Sequence, residues 1–389
     1  MSVLEERYRR VLRLLPASYR ARREEEMVSA FLDGARRAET DLDDQRVRWA
    51  EIAGVAALAL RVRLGGPGSP PGEYATGEAV RGAAILGLVF WTMIGALFAA
   101  QTVLTYGVVA GVLPDGLMGI GDPGSPERLR QVLSGLAPLL WAASLGALVR
   151  GRAGTAKAAA WAALVLPYAL DPGAAGGPGW IAGLLTALPA LVTALALTAG
   201  FHRDAPPPRL PGATAARVVA VPVAAGVLLA LAVGALGAAA RAGGEPGPLT
   251  LQPWLWLDPA GLACVSLLAV TAWLVLRRSA VRASATPAPA TPAPASAAPA
   301  SAAPVSAPPV VASGSVAPAA AILTVPAVVA RAATLHPGAE GYLSGLITLV
   351  GALQLALLLA CGVTLVALTV RTPGAAARDD LTGTREQPG

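Results

Sequence analysis

Thirty-two consecutive residues, Gly82–Leu113, carry no charge. A bilayer's hydrocarbon core is about 30 Å thick and takes roughly 20 apolar residues to cross as a helix. Within lipid the backbone must satisfy its own hydrogen bonds, and a helix does so within one segment. The same reading applies to Val132–Val149, Ala158–Leu170, Gly179–Phe201, Val218–Ala240, Pro259–Leu276 and Gly341–Val370. Ala158–Leu170 is short and contains Pro167, so its flanks have to reach the interfaces. A further segment, Val316–Leu335, contains Pro326 and Arg331 and is the weakest. The expected fold is all-α: a polytopic helical membrane protein with eight transmembrane helices, or seven if Val316–Leu335 lies on the surface. Arginine at a bilayer centre costs about 2.5–3.5 kcal/mol on insertion scales. Arg331 is four residues from the end of its segment, close enough to snorkel.

Short loops rich in Arg and Lys stay on the cytoplasmic side. Loop 150–157 carries Arg150, Arg152 and Lys157, loop 202–217 carries Arg203, Arg209 and Arg217, and the stretch after the sixth segment carries Arg277, Arg278 and Arg282. The alternate loops hold only Arg128, Arg130 and Arg241. Nine against three predicts a multi-pass protein of the plasma membrane with a cytoplasmic N-terminus. Eight spans would leave Arg371, Arg378 and Arg385 inside; seven would leave them outside. Met1–Arg23 is densely charged and the first apolar run begins after residue 80, so no signal peptide is expected.

Composition narrows the function more than it names one. Hydrophobic residues make up 54% of the chain and charged residues 14%, against about a quarter charged in soluble domains. Residues 1–64 hold thirteen Arg and eleven Asp or Glu, so the net charge of +6 is not a nucleic-acid signal. Contact with anionic lipid is the expectation, with no direct nucleic-acid binding. Twenty-nine Arg against one Lys, Lys157, fits the GC-rich codon supply of a bacterium. Cys264 and Cys361 lie in apolar runs and read as small packing residues. Gly119–Gly124 is a literal GxGxxG, but it follows no strand and contains Pro123. There is no Walker loop, and Asp115, Asp122, Asp171 and Asp258 look isolated. No cofactor, metal site or enzymatic activity is expected.

The chain divides into a helical module (1–64), a glycine-bearing flexible joint (65–81), six membrane helices (82–276), an Ala/Pro-rich linker (277–315), a membrane hairpin (316–370) and a disordered tail (371–389). Residues 286–310 are five near-repeats of five, from TPAPA to SAPPV, and should form an extended spacer. In the module, Leu4, Tyr8, Val11, Leu12 and Leu15 share one helical face, and Pro16 ends that helix. Ser18 is placed to cap a second helix, with Met27, Phe31 and Leu32 turned inward. A third should start at Asp43 or Asp44 with Trp49, Ile52, Ala53, Ala56 and Leu60 on its inner side, and Arg61 and Arg63 toward the membrane surface.

Four motifs carry a resemblance: Tyr8-Arg9-Arg10 before a Leu-rich turn, Leu15-Pro16, Tyr19-Arg20, and Glu25-Glu26-Met27. Residues 4–64 resemble the HAAS-type, or permease-prefix, helical domain found at the start of actinobacterial membrane proteins. In that family the domain often accompanies PadR-like transcription regulators or permeases. A charged module joined by a glycine hinge to spans without transport chemistry suggests a membrane-anchored regulatory or interaction protein that docks a soluble partner. For that partner the resemblance implies a PadR-like regulator. The alternative is a permease or the membrane subunit of an ABC-type exporter, whose short cytoplasmic loops would couple to an ABC-type ATPase. The face expected to dock it carries Arg9, Arg13, Arg20, Arg23, Glu25 and Glu26. A salt-bridged, solvated surface is the plainer reading of the same charges.

Overall fold

A computed structural model describes residues 3–37, 48–65, 69, 71–105, 124–170, 180–202, 209–242, 256–284, 315–335 and 342–370. The GxGxxG run up to Pro123, the expected start of the third helix, the linker repeats and the tail lie outside them.

The first three helices are α1 (Val3–Leu12), α2 (Ala17–Arg37) and α3 (Trp49–Arg63). Leu4, Tyr8, Leu12 and Leu15 are buried as their spacing requires. The Tyr8 ring stacks on Phe31 at 4.0 Å, and Val28 joins them. Burial and the nearby Glu51 carboxylate hold the Tyr8 phenol above its ordinary pKa, so the core side chain stays neutral. Two details differ from expectation. Ser18 lies within the first turn of α2, where its carbonyl accepts from Arg22, instead of capping it. On α3 the buried positions are Val55, Ala59 and Val62, while Trp49 and Leu60 point outward. The helix is alanine-rich all round, so its periodicity selects no face; its contacts with its neighbours do.

The remaining helices are α4 (Pro71–Val103), α5 (Pro126–Leu136), α6 (Leu140–Val149), α7 (Ala153–Leu170), α8 (Trp180–Gly200), α9 (Gly212–Ala242), α10 (Pro259–Ser284), α11 (Val316–Ala333) and α12 (Tyr342–Val370). Pro126 opens α5 behind the Ser125 cap, and the turn Ala137–Leu139, which contains Pro138, joins α5 to α6 as one kinked rod. Among the described residues there is no strand, only an isolated bridge between Arg150 and Arg209. Seven stretches are long and apolar enough to cross a membrane: those within α4, α5–α6, α8, α9, α10, α11 and α12. The protein is a polytopic all-α membrane protein. Val316–Ala333, the weakest expectation, is one of the seven. α7 is also 18 residues long but carries Lys157 near its start.

Contacts define two ends. At one, Arg81 donates to the Gly200 carbonyl at 3.1 Å, Leu210 donates to the Val149 carbonyl, and Arg278 donates to the Leu368 carbonyl at 2.8 Å. That end therefore gathers the start of α4, the α6–α7 turn, the α8–α9 connection and the ends of α10 and α12. Ala319, near the start of α11, sits against Gly82 of α4. At the other end, Arg331 of α11 reaches Asp258 at the start of α10 and lies against Gly351 of α12. From α4 to α12, counting α5–α6 as one rod, eight passes alternate in direction.

The inner helices are α4 and α11, with 61% and 44% of their most apolar windows buried against 17% in α9. α4 packs against α6, α8, α9 and α11; α11 also meets α8, α10 and α12. Close approach depends on small residues. A Cβ on Gly87 would collide with the Thr193 hydroxyl of α8, one on Gly226 with the Met93 carbonyl of α4, and one on Gly95 with the Pro138 carbonyl. α11 is alanine-rich because it is central, which also lowers its hydropathy.

Candidate functional site

The charged face of the module is organised by Arg9. Its guanidinium reaches Glu25 at 2.8 Å, Glu24 at 3.3 Å and Glu5 at 3.2 Å. These bonds, foremost the one to Glu25, hold Arg9 firmly charged, and Arg9 in turn holds the Glu25 carboxyl below its ordinary value. Arg23 pairs with Glu26 at 3.4 Å one turn along α2. Arg13 is exposed in the turn after α1, and Arg20 is half-buried on α2. The structure thus joins Arg9 to Glu25 and Arg23 to Glu26 and leaves Arg13 and Arg20 outside those pairs. The Arg9 pairs with Glu24 and Glu25 lock α1 to α2, and the Arg23–Glu26 pair lies within α2.

A second surface was concealed by the choice of face on α3. Trp49, Ala53, Ala56 and Leu60 are all exposed, Trp49 at 84%. Spaced at i, i+4, i+7 and i+11, they form one stripe about 16 Å long. The signal for it was in the sequence, as the same residues assigned to the core.

The module meets the membrane domain through a tight seat. Gly65 adopts φ +79°, a left-handed turn that glycine favours, and a Cβ on it would press against Tyr74 of α4. Any Cβ on Gly77 would overlap the Leu64 carbonyl. Ser69 donates to the Val62 carbonyl at 2.6 Å, and Arg63 donates to the Leu14 carbonyl at 3.1 Å. The last turn of α3 is therefore fastened both to the turn after α1 and to the start of the first membrane helix.

Two features lie within the membrane domain. The first is an ion pair joining segments 73 residues apart: Arg331 Nη1 to Asp258 Oδ2 at 3.2 Å. The Arg331 side chain is 7% exposed, so it is buried beneath the pair and does not snorkel to the surface. Asp258 is not isolated as expected. Its Oδ1 accepts from the Gly261 amide at 2.6 Å, capping α10, while Oδ2 receives Arg331. Gly351 leaves room for the guanidinium. Nearby, Cys264 is buried with its thiol 3.6 Å from the Gln354 carbonyl; both cysteines are free and packed.

The second feature is a cavity of about 340 Å³ bounded by α4, α8, α9, α10 and α11. Phe90 and Trp91 form part of its α4 wall, and the helix-interior prolines Pro189 and Pro222 face it from α8 and α9. No ionisable side chain lines it. Thr193, one of its two hydroxyl residues, donates to the Pro189 carbonyl at 2.8 Å. Among the described residues there is no group of three or more His, Cys, Asp or Glu side chains that could hold a metal.

No family model, curated protein or solved structure matches this chain. Fold and site together define a class: a multi-pass helical membrane protein with a charged three-helix bundle fastened to its first span.

Proposed function

We propose that this is a membrane-anchored regulatory protein: its N-terminal bundle docks a soluble partner, and its spans report the state of the bilayer to that bundle. The observation carrying this reading is the exposed stripe Trp49–Ala53–Ala56–Leu60 on a helix whose other end is clamped to α4 through Gly65 and Gly77. Exposed aromatic and aliphatic residues on one helical face suit an amphipathic partner helix, and tryptophan is the residue type richest in interface energy. Arg13 and Arg20 flank the bundle as charged rim. The resemblance of residues 4–64 to the permease-prefix domain points to a PadR-like regulator as the partner. The arginine-rich end of the membrane domain then faces the cytoplasm of a bacterial cell, and an impermeant label should fail to reach the 150s turn on intact cells.

The deciding experiment places a photo-crosslinking residue at Trp49 of the full-length protein in native membranes. One discrete soluble adduct, lost with Leu60→Asp, is expected. Adducts with lipid alone would refute docking and make the stripe a membrane-surface contact. The membrane-depth cavity favours one competing reading, a permease or the membrane subunit of an ABC-type exporter. Substrate-dependent flux in proteoliposomes would establish that reading instead.

A further inference from the structure

We propose that the cavity beside α4 is the acyl-chain half of an anionic-phospholipid site whose headgroup half is Arg217 and Arg277. The inference deepens the bilayer-sensing half of the function above, yet it needs no soluble partner.

Depth comes first. The lining residues lie near the middle of α4, α8 and α11, at the level where hydrocarbon chains lie on either side of a bilayer midplane. Access comes second. α9 and α10 converge through the cluster Ile94, Leu97, Ala230 and Leu262. The two helices make little direct contact with each other. The cavity therefore has a side opening between these two helices, and Val221 on its rim is 68% exposed. A chain in the neighbouring leaflet can enter without passing through water.

Chemistry selects the occupant. A wall with two hydroxyl residues and no charge cannot solvate a headgroup; burying an unpaired charge there would cost far more than burying hydrocarbon. The volume falls within the range of small-ligand sites. The charge lies just beyond the rim. Arg217 precedes Val221 by one turn on the same face of α9, about 6 Å along the axis. Arg277 follows Val270 by two turns on the same face of α10, about 10 Å along the axis. Both arginines are exposed, and neither pairs with a carboxylate among the described residues. Arg277 lies over the Trp273 ring at 5.4 Å, an arrangement that holds the guanidinium at interface depth. Its neighbour Arg278 is already committed to the Leu368 carbonyl. Two guanidinium forks beyond the rim of an apolar cavity match a phosphodiester joined to a hydrocarbon chain.

The test is native mass spectrometry of the full-length protein in detergent, titrated with phosphatidylglycerol or phosphatidylcholine of identical chains, and with oleate. We expect one phosphatidylglycerol per chain, held at least tenfold more tightly than phosphatidylcholine and than oleate. Ala263→Phe fills the cavity and should lower retention at least tenfold; Ala225→Phe, on the opposite wall, should do the same. Leu228→Phe, a lipid-facing change outside the cavity, should leave retention unchanged. Arg217→Gln and Arg277→Gln should each reduce the preference for phosphatidylglycerol about fivefold. Equal retention of the two phospholipids by the unmodified protein overturns the proposal, as does tighter retention of oleate. Full retention by either folded phenylalanine variant also overturns it.

Discussion

The two halves of this molecule are built on opposite packing rules. In the N-terminal bundle the large side chains are inside: Leu4, Leu12 and Leu15 are buried and Tyr8 stacks on Phe31, while the paired charges lie outward. In the membrane domain many of the largest aliphatic residues, among them Leu228, Val325, Leu349 and Val363, point outward. Its closest helix approaches are made at glycine, alanine and threonine, with leucines such as Leu88, Leu145, Leu197 and Leu358 filling the space between them. The difference follows from the solvent. Water expels leucine from the bundle surface at roughly 25 cal/mol per Å² buried. Lipid is as apolar as leucine and expels nothing, so helices associate by close backbone approach and by polar bonds. One chain therefore carries two kinds of core, and the seat at Gly65–Gly77 joins them.

The comparison is broken most forcefully at Arg331, the one charged residue that the membrane domain buries among the described residues. Asp258→Ala leaves the Arg331 guanidinium buried without its carboxylate and removes the α10 cap. We expect a loss of about 3 kcal/mol, at the lower end for a broken buried pair because Asp258 is 40% exposed. Adding Arg331→Met should recover most of it, since a matched apolar replacement leaves no stranded charge. Reversible unfolding of the full-length protein in mixed micelles measures both. Unchanged stability in Asp258→Ala would show that the pair is incidental.

Glycine substitutions sharpen the same contrast. Gly226→Ala places a methyl against the Met93 carbonyl, and the helices must separate; about 2 kcal/mol of destabilisation is expected. Gly54→Ala on α3 meets nothing within 4 Å and should stabilise the bundle by about 0.5–1 kcal/mol through helix propensity. Opposite signs for one chemical change would confirm that the two cores differ in kind. If Gly226→Ala were neutral, the packing rule assigned to the membrane domain would be wrong.

Much of the architecture could be read in the sequence because a bilayer demands length and apolarity, and both are linear properties. Val132–Val149, Pro259–Leu276 and Gly341–Val370 were visible within a residue or two at one end or both. α4, by contrast, begins eleven residues before its charge-free run, at Pro71, because Glu73, Glu78 and Arg81 are helical beyond the apolar stretch. What stayed hidden is three-dimensional. Nothing local in Val316–Leu335 announces that it is an inner helix; its alanines look like weakness until α4, α8 and α12 are placed around it. Asp258 and Arg331 are too far apart in sequence to be paired by inspection. The face of α3 was misassigned because an alanine-rich helix gives periodicity little to distinguish. The cavity depends on where α9 and α10 part, which no single helix encodes.

The smallest expected effect concerns the bundle's surface charges. Arg9 lowers the Glu25 pKa from the ordinary 4.5, chiefly through their hydrogen bond. A carboxylate with a depressed folded-state pKa contributes stability above its unfolded value and loses it as pH falls through the lower folded value. The contribution of the Arg9–Glu25 bond should therefore be fully present at pH 6 and vanish well below pH 4.5. Arg9→Gln should weaken the bundle at pH 6 and scarcely alter it at about pH 2, with the difference at pH 6 shrinking in salt because Glu25 faces water. Circular dichroism of the full-length protein and its variant, melted at both pH values, provides the measurement. A difference that stays constant from pH 6 to pH 2 would mean that Arg9 acts through the packing of its aliphatic stem on α2, and the bundle's outer shell would then follow the same packing rule as its core.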